Sequence, residues 1–178
     1  MRSMWELYEG AIPRMECEKI IVQCRRECTF EDKATSLETS AGSYKAKRGW
    51  TENHALMALT DRFTRDANRK TFNFSVNYIP PVQLTQYEVG ASCGWHIDVS
   101  WDTKLAYDRK LSVVLQLCDP NSYEGGVFEF GGGPTAPKEF ATQGSVLVFP
   151  SYLSHRVTEV TKGTRYSLVS WAEGPRWR

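Results

Sequence analysis

Two histidines and one aspartate of this chain, His96, Asp98 and His155, have the residue types of a metal-binding set. Two histidines and one carboxylate are the ligands of the facial triad, which holds ferrous iron and leaves coordination positions open. Dioxygen and a bidentate keto acid can then bind the same metal, which performs oxidation chemistry that side chains cannot. An H-x-D pair alone is weak evidence, because 21 of the 178 residues are acidic.

Strand geometry favours a chelating arrangement of the H-x-D pair. Alternate side chains of a strand point to one face, so His96 and Asp98 project together while Ile97 points away into the packing. A surface His-Asp pair at a strand end is the competing interpretation. His155 follows the apolar run 145–150, where a lone histidine is more often a hydrogen-bonded core residue than a ligand.

An arginine near the end of the chain indicates an anion-binding pocket. The predicted strand 164–171 carries Arg165, Ser167 and Val169 on one face. An arginine that turns into a barrel is costly to bury unpaired, and its fork-shaped guanidinium suits a carboxylate best. Ser167 can add a hydroxyl donor. An inward arginine beside a metal triad therefore indicates a carboxylate ligand delivered to a metal.

The elements that must position these residues are helices first and short strands afterwards. Apolar spacing predicts helices from Pro13 to about Glu27 and from about Glu52 to Ala67, with Thr51 as the second N-cap. Residues 35–49 are predicted to be flexible. About eight strands follow, near residues 72–78, 82–86, 95–98, 111–117, 127–130, 145–149, 154–157 and 164–171. This order predicts an α+β, mainly β fold, a jelly roll backed by N-terminal helices.

Length and composition indicate one ordinary globular domain. We expect a single domain over residues 1–178, with helical support over about 1–70 and a strand core over about 71–172. A net charge of +1 argues against nucleic acid as a partner. The five cysteines form no C-x-x-C pair and are interpreted as reduced thiols. With no signal-peptide pattern or membrane span, these features predict a cytoplasmic protein.

Five motifs in order resemble the iron(II)/2-oxoglutarate-dependent oxygenases. They are Tyr87-Glu88-Val89-Gly90, Trp95-His96-Ile97-Asp98, Gly125-Gly126, Phe149-Pro150 with Ser154-His155-Arg156-Val157, and Gly163-Thr164-Arg165-Tyr166-Ser167. Within that family the chain is most similar to the prolyl 4-hydroxylase-like branch, including its compact bacterial and phage members. A phage origin would place the protein in the cytoplasm of an infected cell. The resemblance covers roughly residues 68–172.

The resemblance implies a double-stranded β-helix and assigns roles to named residues. His96, Asp98 and His155 would ligate Fe(II), and Arg165 would bind the distal carboxylate of 2-oxoglutarate with help from Ser167. Tyr87 matches a tyrosine that donates its hydroxyl to that carboxylate. Gln116, polar in an apolar strand, either faces the cosubstrate or is a hydrogen-bonded barrel residue. The implied cofactors are Fe(II), 2-oxoglutarate and dioxygen, and ascorbate dependence is a habit of the family.

The implied reaction couples decarboxylation of 2-oxoglutarate to succinate with hydroxylation of an unactivated C–H bond. The expected target is a prolyl residue of a peptide or protein. Cys93 stands where prolyl hydroxylases usually carry an aromatic residue, so a free amino acid or other small molecule is a second candidate. A cupin-like binding module that holds zinc or nothing is the third. Nucleic-acid repair relatives carry an arginine at the position of Trp171, so base demethylation is not expected.

Four residues are candidate substrate contacts. Trp171 lies six residues beyond Arg165 and matches a substrate-contacting tryptophan of the oxygen-sensing prolyl hydroxylases. Trp101 and Tyr107 belong to the segment 100–110, which is predicted to form a lid over the iron. Arg48 belongs to a basic-aromatic arm with Lys45, Lys47 and Trp50, which is equally consistent with a solvated loop. The sequence makes no prediction about the oligomeric state.

Overall fold

A computed structural model describes residues 3–28, 30–31, 45–99, 105–132 and 136–177. Its helices are α1 (Arg14–Glu27) and α2 (His54–Ala67), with a π-helical turn at Asn68–Phe72 and 3₁₀ turns at Pro120–Ser122 and Lys138–Ala141. The strands of these residues are β1 (Glu6–Tyr8), β2 (Phe30–Glu31), β3 (Lys47–Thr51), β4 (Val82–Tyr87), β5 (Cys93–His96), β6 (Tyr107–Gln116), β7 (Tyr123–Gly125), β8 (Phe128–Phe130), β9 (Val146–Pro150), β10 (His155–Val157), β11 (Val160–Gly163) and β12 (Arg165–Pro175).

Three antiparallel sheets organise these strands. The major sheet has seven strands in the order β1-β9-β6-β12-β4-β3-β2, and the minor sheet has three in the order β5-β10-β8. A two-stranded sheet pairs β11 with β7. Apart from β4-β3-β2, neighbouring strands are not consecutive in the chain, as in a jelly roll. The predicted mainly β jelly roll with N-terminal helices is confirmed.

Strand alternation gives the major sheet two buried faces. Leu84, Val113 and Leu168 point to one face and pack with the helices, where Ile20 and Phe63 complete the first core. On the other face, a second core joins the two sheets: Tyr87, Val114, Leu147 and Phe149 of the major sheet and Cys93, Phe128, Phe130 and Val157 of the minor sheet. Because successive side chains alternate, residues of β12 at odd numbers from Arg165 to Val169 face the minor sheet.

The first helix is confirmed, whereas the predicted start of the second helix is wrong. Helix α2 begins at His54, and its N-cap is Asn53, whose Oδ1 accepts hydrogen bonds from the backbone N–H groups of Ala55 (3.0 Å) and Leu56 (3.2 Å). Thr51 ends β3 instead, and its hydroxyl accepts from the N–H of Asn53 at 3.1 Å. Both residues are good caps, and pairing of β3 with β4 decides between them.

One segment predicted to be a strand is mostly not a strand, and the end of one segment predicted to be flexible is a strand. The predicted strand 72–78 is wrong, because the chain leaves the π-helical turn through Asn73, whose φ is +54°. Only Tyr78 in that segment forms a bridge, with Glu173. Conversely, the end of the predicted flexible segment is β3, which pairs with β4 over five positions. The alternation of phenylalanines in 72–78 reflects packing against the helices, not sheet pairing.

The predicted lid is wrong over its last residues. Tyr107, Asp108, Arg109 and Lys110 belong to β6, which pairs with β12. Ser100 and Trp101 lie outside the described residues. Neither α1 nor α2 nor any other described helix has the length and apolar character needed to cross a membrane.

Candidate metal centre and cosubstrate pocket

Two paired strands of the minor sheet bring the histidines together. His96 is the last residue of β5 and His155 the first of β10, and the two are directly opposite partners. Asp98 follows β5 rather than lying within it, and its backbone N–H donates to the carbonyl of Ser151 at 2.8 Å. One ligand atom from each of the three residues lies within 4.8 Å of the others. The three side chains could therefore hold one metal ion.

Both imidazole rings are oriented by the carbonyl two residues before them. Nδ1 of His96 lies 2.9 Å from the carbonyl oxygen of Gly94, and Nδ1 of His155 lies 2.9 Å from that of Leu153. These contacts place a proton on Nδ1, so in the neutral, metal-binding form of each ring the lone pair lies on Nε2. The Nε2 atoms lie 3.6 Å and 3.5 Å from the two Asp98 carboxylate oxygens. Lone pairs and negative charge thus converge on one point.

The charges of the cluster are coupled. Burial lowers the pKa of the His96 imidazole, but contacts with Asp98 and Cys93 outweigh it and raise that pKa to about 10. Burial raises the pKa of the Asp98 carboxyl, yet both histidines and Ser112 hold it well below its usual range. Burial also lowers the pKa of His155. An ionised Asp98 between two nitrogen ligands is the electrostatic setting that a divalent cation requires.

Two serines that sequence reasoning did not assign hold the carboxylate. Ser112 of β6 donates its hydroxyl to Oδ2 of Asp98 at 2.6 Å, and its Oγ lies 2.9 Å from that of Ser151. Both serines are fully buried. Hydrogen bonds to a ligating carboxylate fix its orientation. The sequence feature that could have indicated this role is a serine inside the apolar run 111–115, because a buried polar residue needs a hydrogen-bond partner.

The walls of the cluster are aromatic on one side and open on the other. The His155 ring packs between Phe128 and Phe149, with ring centroids at 5.4 Å and 4.9 Å. Cys93 Sγ lies 3.5 Å from Nδ1 of His96. The predicted inward packing of Ile97 is wrong: its side chain points away from the cluster but is 37% exposed.

Arg165 is the largest fully buried side chain of the described residues, with 1% exposure. Its guanidinium carbon lies 5.3 Å from the ring centroid of Tyr87, its direct partner on β4. Its Nη1 is buried and has no hydrogen-bond partner among the described residues. A buried guanidinium with an unused donor is costly unless an anion completes it. The pocket therefore fits a carboxylate.

Ser167 and Gln116 lie next to Arg165 on the inner face. They are direct partners between β12 and β6, and each is 1% exposed. Gln116 donates from Nε2 to the hydroxyl oxygen of Tyr123 at 2.9 Å and to the carbonyl of Cys118 at 3.3 Å. Its Oε1 is buried without a partner in the described part of the chain.

A tryptophan-arginine rim borders the metal cluster. Trp171 is the direct partner of Ser112, so its side chain projects beside the serine that holds Asp98. The guanidinium of Arg109 lies 3.9 Å from the centroid of Trp171, and the ring of Trp50 lies at 5.6 Å. Burial lowers the pKa of Arg109, while Asp98 and Glu173 act in the opposite direction. Arg109 was missed because the segment around it was interpreted as a loop.

The other candidate substrate contacts are distributed around this rim. Arg48 is the partner of Thr85 on β4, on the same face as Arg165 and Ser167. Tyr107 opens β6 and is 51% exposed. Trp101 lies outside the described residues.

Comparison with known proteins matches this geometry to one family. A family profile for 2OG-Fe(II) oxygenases matches residues 82–173, just over half of the chain. The chain belongs to the 2OG-Fe(II) oxygenase superfamily. Members of this superfamily use Fe(II), 2-oxoglutarate and dioxygen. The His-Asp-His cluster fits Fe(II), and the unpaired Arg165 donor fits a carboxylate of 2-oxoglutarate.

Curated relatives of this chain include PKHD-type hydroxylases. One from Gloeothece citriformis is 39% identical over 90 residues, which is 51% of this chain and 41% of the relative. Another from Synechococcus sp. is 34% identical over 116 residues, 65% of this chain and 51% of the relative. The matched part thus spans about half the length of these relatives.

Solved structures similar to this chain include prolyl hydroxylases. The viral collagen prolyl hydroxylase of Paramecium bursaria Chlorella virus-1 has a TM-score of 0.71 at 17% identity, with 97% of each chain covered. A Pseudomonas putida prolyl-4-hydroxylase also has a TM-score of 0.71, at 20% identity, covering 97% of this chain and 92% of the other. The likeness establishes that the chain has the fold of these structures, a double-stranded β-helix.

Proposed function

We propose that this chain is an Fe(II)- and 2-oxoglutarate-dependent dioxygenase that hydroxylates a prolyl residue of a peptide or protein and releases succinate and carbon dioxide. One observation carries the proposal: the His96-Asp98-His155 cluster shares its barrel with Arg165, whose buried Nη1 has no partner in the described residues. A metal-binding module without a cosubstrate would have no use for a buried, incomplete guanidinium. Membership of the superfamily supports the same reaction class.

In this proposal His96, Asp98 and His155 hold the metal. Fe(II), when bound, supplies the oxygen chemistry that side chains lack. Nδ1 of each histidine remains bonded to its backbone carbonyl, so Nε2 stays directed at the metal position. Ser112 and Ser151 keep Asp98 in one orientation. The protein thus contributes position and an electrostatic setting, and no protein nucleophile or general base is needed.

Arg165 binds the distal carboxylate of 2-oxoglutarate in this proposal. Its side chain is held from one side by Tyr87 and is shielded from water. A charge-assisted contact in such a site is strong and directional. Ser167 and Tyr87 lie beside it as further hydroxyl groups. Arg165, Ser167 and Tyr87 would hold the carboxylate end of the cosubstrate, and the metal held by His96, Asp98 and His155 would bind its keto acid end.

The rim supports a peptide substrate. Trp171, which is buried beside Ser112, contacts the ring of Trp50, which is 42% exposed. Aromatic grooves are a recurring way to bind proline-rich segments. Arg109 can hydrogen-bond a substrate carbonyl or carboxylate, and Arg48 and Tyr107 extend the surface. The relatives named as PKHD-type hydroxylases and the structural neighbours named as prolyl hydroxylases support a hydroxylated substrate of this kind.

The test is succinate release from 2-oxoglutarate with Fe(II), measured with and without a panel of proline-containing peptides. Mass spectrometry of each peptide checks for one added oxygen atom. We expect peptide-stimulated succinate together with an oxidised proline. Slow succinate release that no peptide stimulates would replace the prolyl substrate with a small molecule. A folded protein that releases no succinate under any condition would leave a cupin-like binding module.

A further inference from the structure

One edge of the Tyr123 ring and the side-chain stem of Arg165 both lie at Gly126, although Tyr123 is on a different sheet. Tyr123 of β7 is the direct partner of Gly163 at the end of β11, two residues before Arg165. A Cβ atom added to Gly126 would lie 3.0 Å from Cδ of Arg165 and 3.3 Å from Cε2 of Tyr123. The arginine stem and the phenol ring therefore flank the same glycine. Gly126 also has φ +59°, a conformation that favours glycine.

The hydrogen bonds of Gln116 determine what the phenol can do. Gln116 Nε2 has two protons, and the structure uses them on the carbonyl of Cys118 and on the hydroxyl oxygen of Tyr123. The carbonyl of Cys118 accepts only, so the amide has one sensible orientation. The Tyr123 oxygen is then an acceptor toward Gln116. Its own proton is available for another group, and none of the described residues accepts it.

The oxygen of the Gln116 amide shows that Gln116 and Tyr123 have different roles toward an anion. Oε1 of Gln116 is an acceptor, so it cannot donate to a carboxylate. Like the Ser167 hydroxyl, Arg165 Nη1 and the Tyr123 hydroxyl each have a proton to donate and no acceptor among the described residues. A carboxylate has two oxygens and accepts several hydrogen bonds. One anion would complete both donors.

We propose that the Tyr123 hydroxyl donates to the distal carboxylate of 2-oxoglutarate alongside Arg165, and that Gln116 is a positioning residue that aims the phenol. The inference rests on the proposed function, since it needs a dicarboxylic cosubstrate in this pocket. It adds a donor on β7 to the hydroxyl groups of Ser167 and Tyr87 that lie beside Arg165. The clamp discriminates cosubstrates by the presence of a second carboxylate.

The experiment measures binding rather than turnover. Mn(II)-loaded protein is titrated by calorimetry with 2-oxoglutarate and with 2-oxopentanoate, which has the same keto acid end but no distal carboxylate. Tyr123→Phe should weaken 2-oxoglutarate binding by about tenfold or more, the range of a hydrogen bond to a charged group. Binding of 2-oxopentanoate and of Mn(II) alone should not change. Gln116→Leu should weaken 2-oxoglutarate binding too, and much less when Tyr123→Phe is already present.

Matched tyrosine variants distinguish the outcomes. Tyr78→Phe makes the same change at an exposed site and should leave both titrations unchanged. Equal weakening of both keto acids by Tyr123→Phe would indicate a structural role and overturn the inference. Selective loss with Tyr87→Phe but not with Tyr123→Phe would assign the donor to Tyr87. Wild-type protein that binds Mn(II) but no 2-oxoglutarate would overturn the proposed function itself, a result distinct from the other two.

Discussion

Each imidazole of the metal cluster already uses one of its two nitrogens. Backbone carbonyls of Gly94 and Leu153 take the Nδ1 protons, so only the Nε2 lone pairs remain for a metal. Arg165 shows the opposite situation, a buried donor that nothing among the described residues accepts. The groups without a partner, the Nε2 lone pairs and the Arg165 donor, therefore indicate what the site can bind: a metal and an anion.

At this scale, loss of one imidazole should remove the metal. His96→Ala should weaken Mn(II) or Fe(II) binding by more than about 100-fold, because even residues around metal ligands contribute about 10- to 100-fold. Equilibrium dialysis with metal analysis measures the loss, and succinate release should disappear with it. His54→Ala is the matched control, because His54 is an exposed residue at the start of α2. Retained metal binding in the His96 variant would mean that the ligand assignment is wrong.

Loss of the guanidinium should affect the cosubstrate and spare the metal. Arg165→Ala removes a desolvated, charge-assisted contact of about 2–5 kcal/mol, which corresponds to a rise of roughly 30-fold or more in the Kd for 2-oxoglutarate. Calorimetry on Mn(II)-loaded protein checks the value. Arg62→Ala on the exposed surface of α2 should bind like the wild type. An unchanged Kd in the Arg165 variant would remove this residue from the pocket.

At the scale of elements, the sequence predicted which side chains share a strand face, but it did not predict where the elements begin and end. The shared face of Arg165 and Ser167 follows from period-two geometry and is confirmed by their pairing with β4. The end of β5 at His96 was not readable, because Asp98 is positioned by a backbone bond to Ser151, 53 residues later in the chain. Thr51 and Asn53 are both competent caps, and only the pairing of β3 shows which one begins the helix.

The cap assignment gives a stability prediction for α2. Asn53→Ala should lower the free energy of unfolding by about 1 kcal/mol, because two backbone N–H groups lose their acceptor. Urea unfolding measures the change. Asn53→Asp keeps a capping oxygen and should stay close to the wild type. A loss in Thr51→Ala that exceeds the loss in Asn53→Ala would restore Thr51 as the cap.

At the scale of the whole molecule, Asp66 joins the first strand to the second helix. It accepts hydrogen bonds from the hydroxyl of Tyr8 at 2.7 Å and from Arg69 at 2.7 Å, and Lys70 lies at 2.5 Å. The contacts with Lys70 and Tyr8 lower the pKa of Asp66 to about 2. Because β1 is an edge strand on β9, this cluster ties the sheet to the helical layer.

This cluster predicts a component of the acid sensitivity. The folded-state pKa of Asp66 lies below the unfolded value of about 3.9, so its contribution to stability is present above about pH 4 and is lost as the pH falls toward 2. Asp66→Asn should therefore be less stable than the wild type at pH 6, with a smaller difference at pH 3. Urea midpoints at the two pH values measure this. Glu52→Gln, at an exposed position, controls for removal of one carboxylate. An equal difference at both pH values would contradict the prediction.

The sequence by itself predicted a candidate set of metal ligands, and it determined the inward arginine, the strand-rich class and most of the strand positions. These depend on local period, residue chemistry and motif order, which a chain carries without its fold. It also identified Gln116 as a polar residue in an apolar strand, but not its hydrogen-bond partners.

Only the tertiary structure decided which polar groups meet. Ser112 hydrogen-bonds Asp98, and Gln116 hydrogen-bonds Tyr123. Arg109 stacks on Trp171. These contacts form because strands far apart in sequence are neighbours in the sheets. Such contacts depend on register, and a shift of one residue would turn each side chain to the opposite face. Sequence pattern therefore predicted the chemistry of this site, and strand pairing determined its geometry.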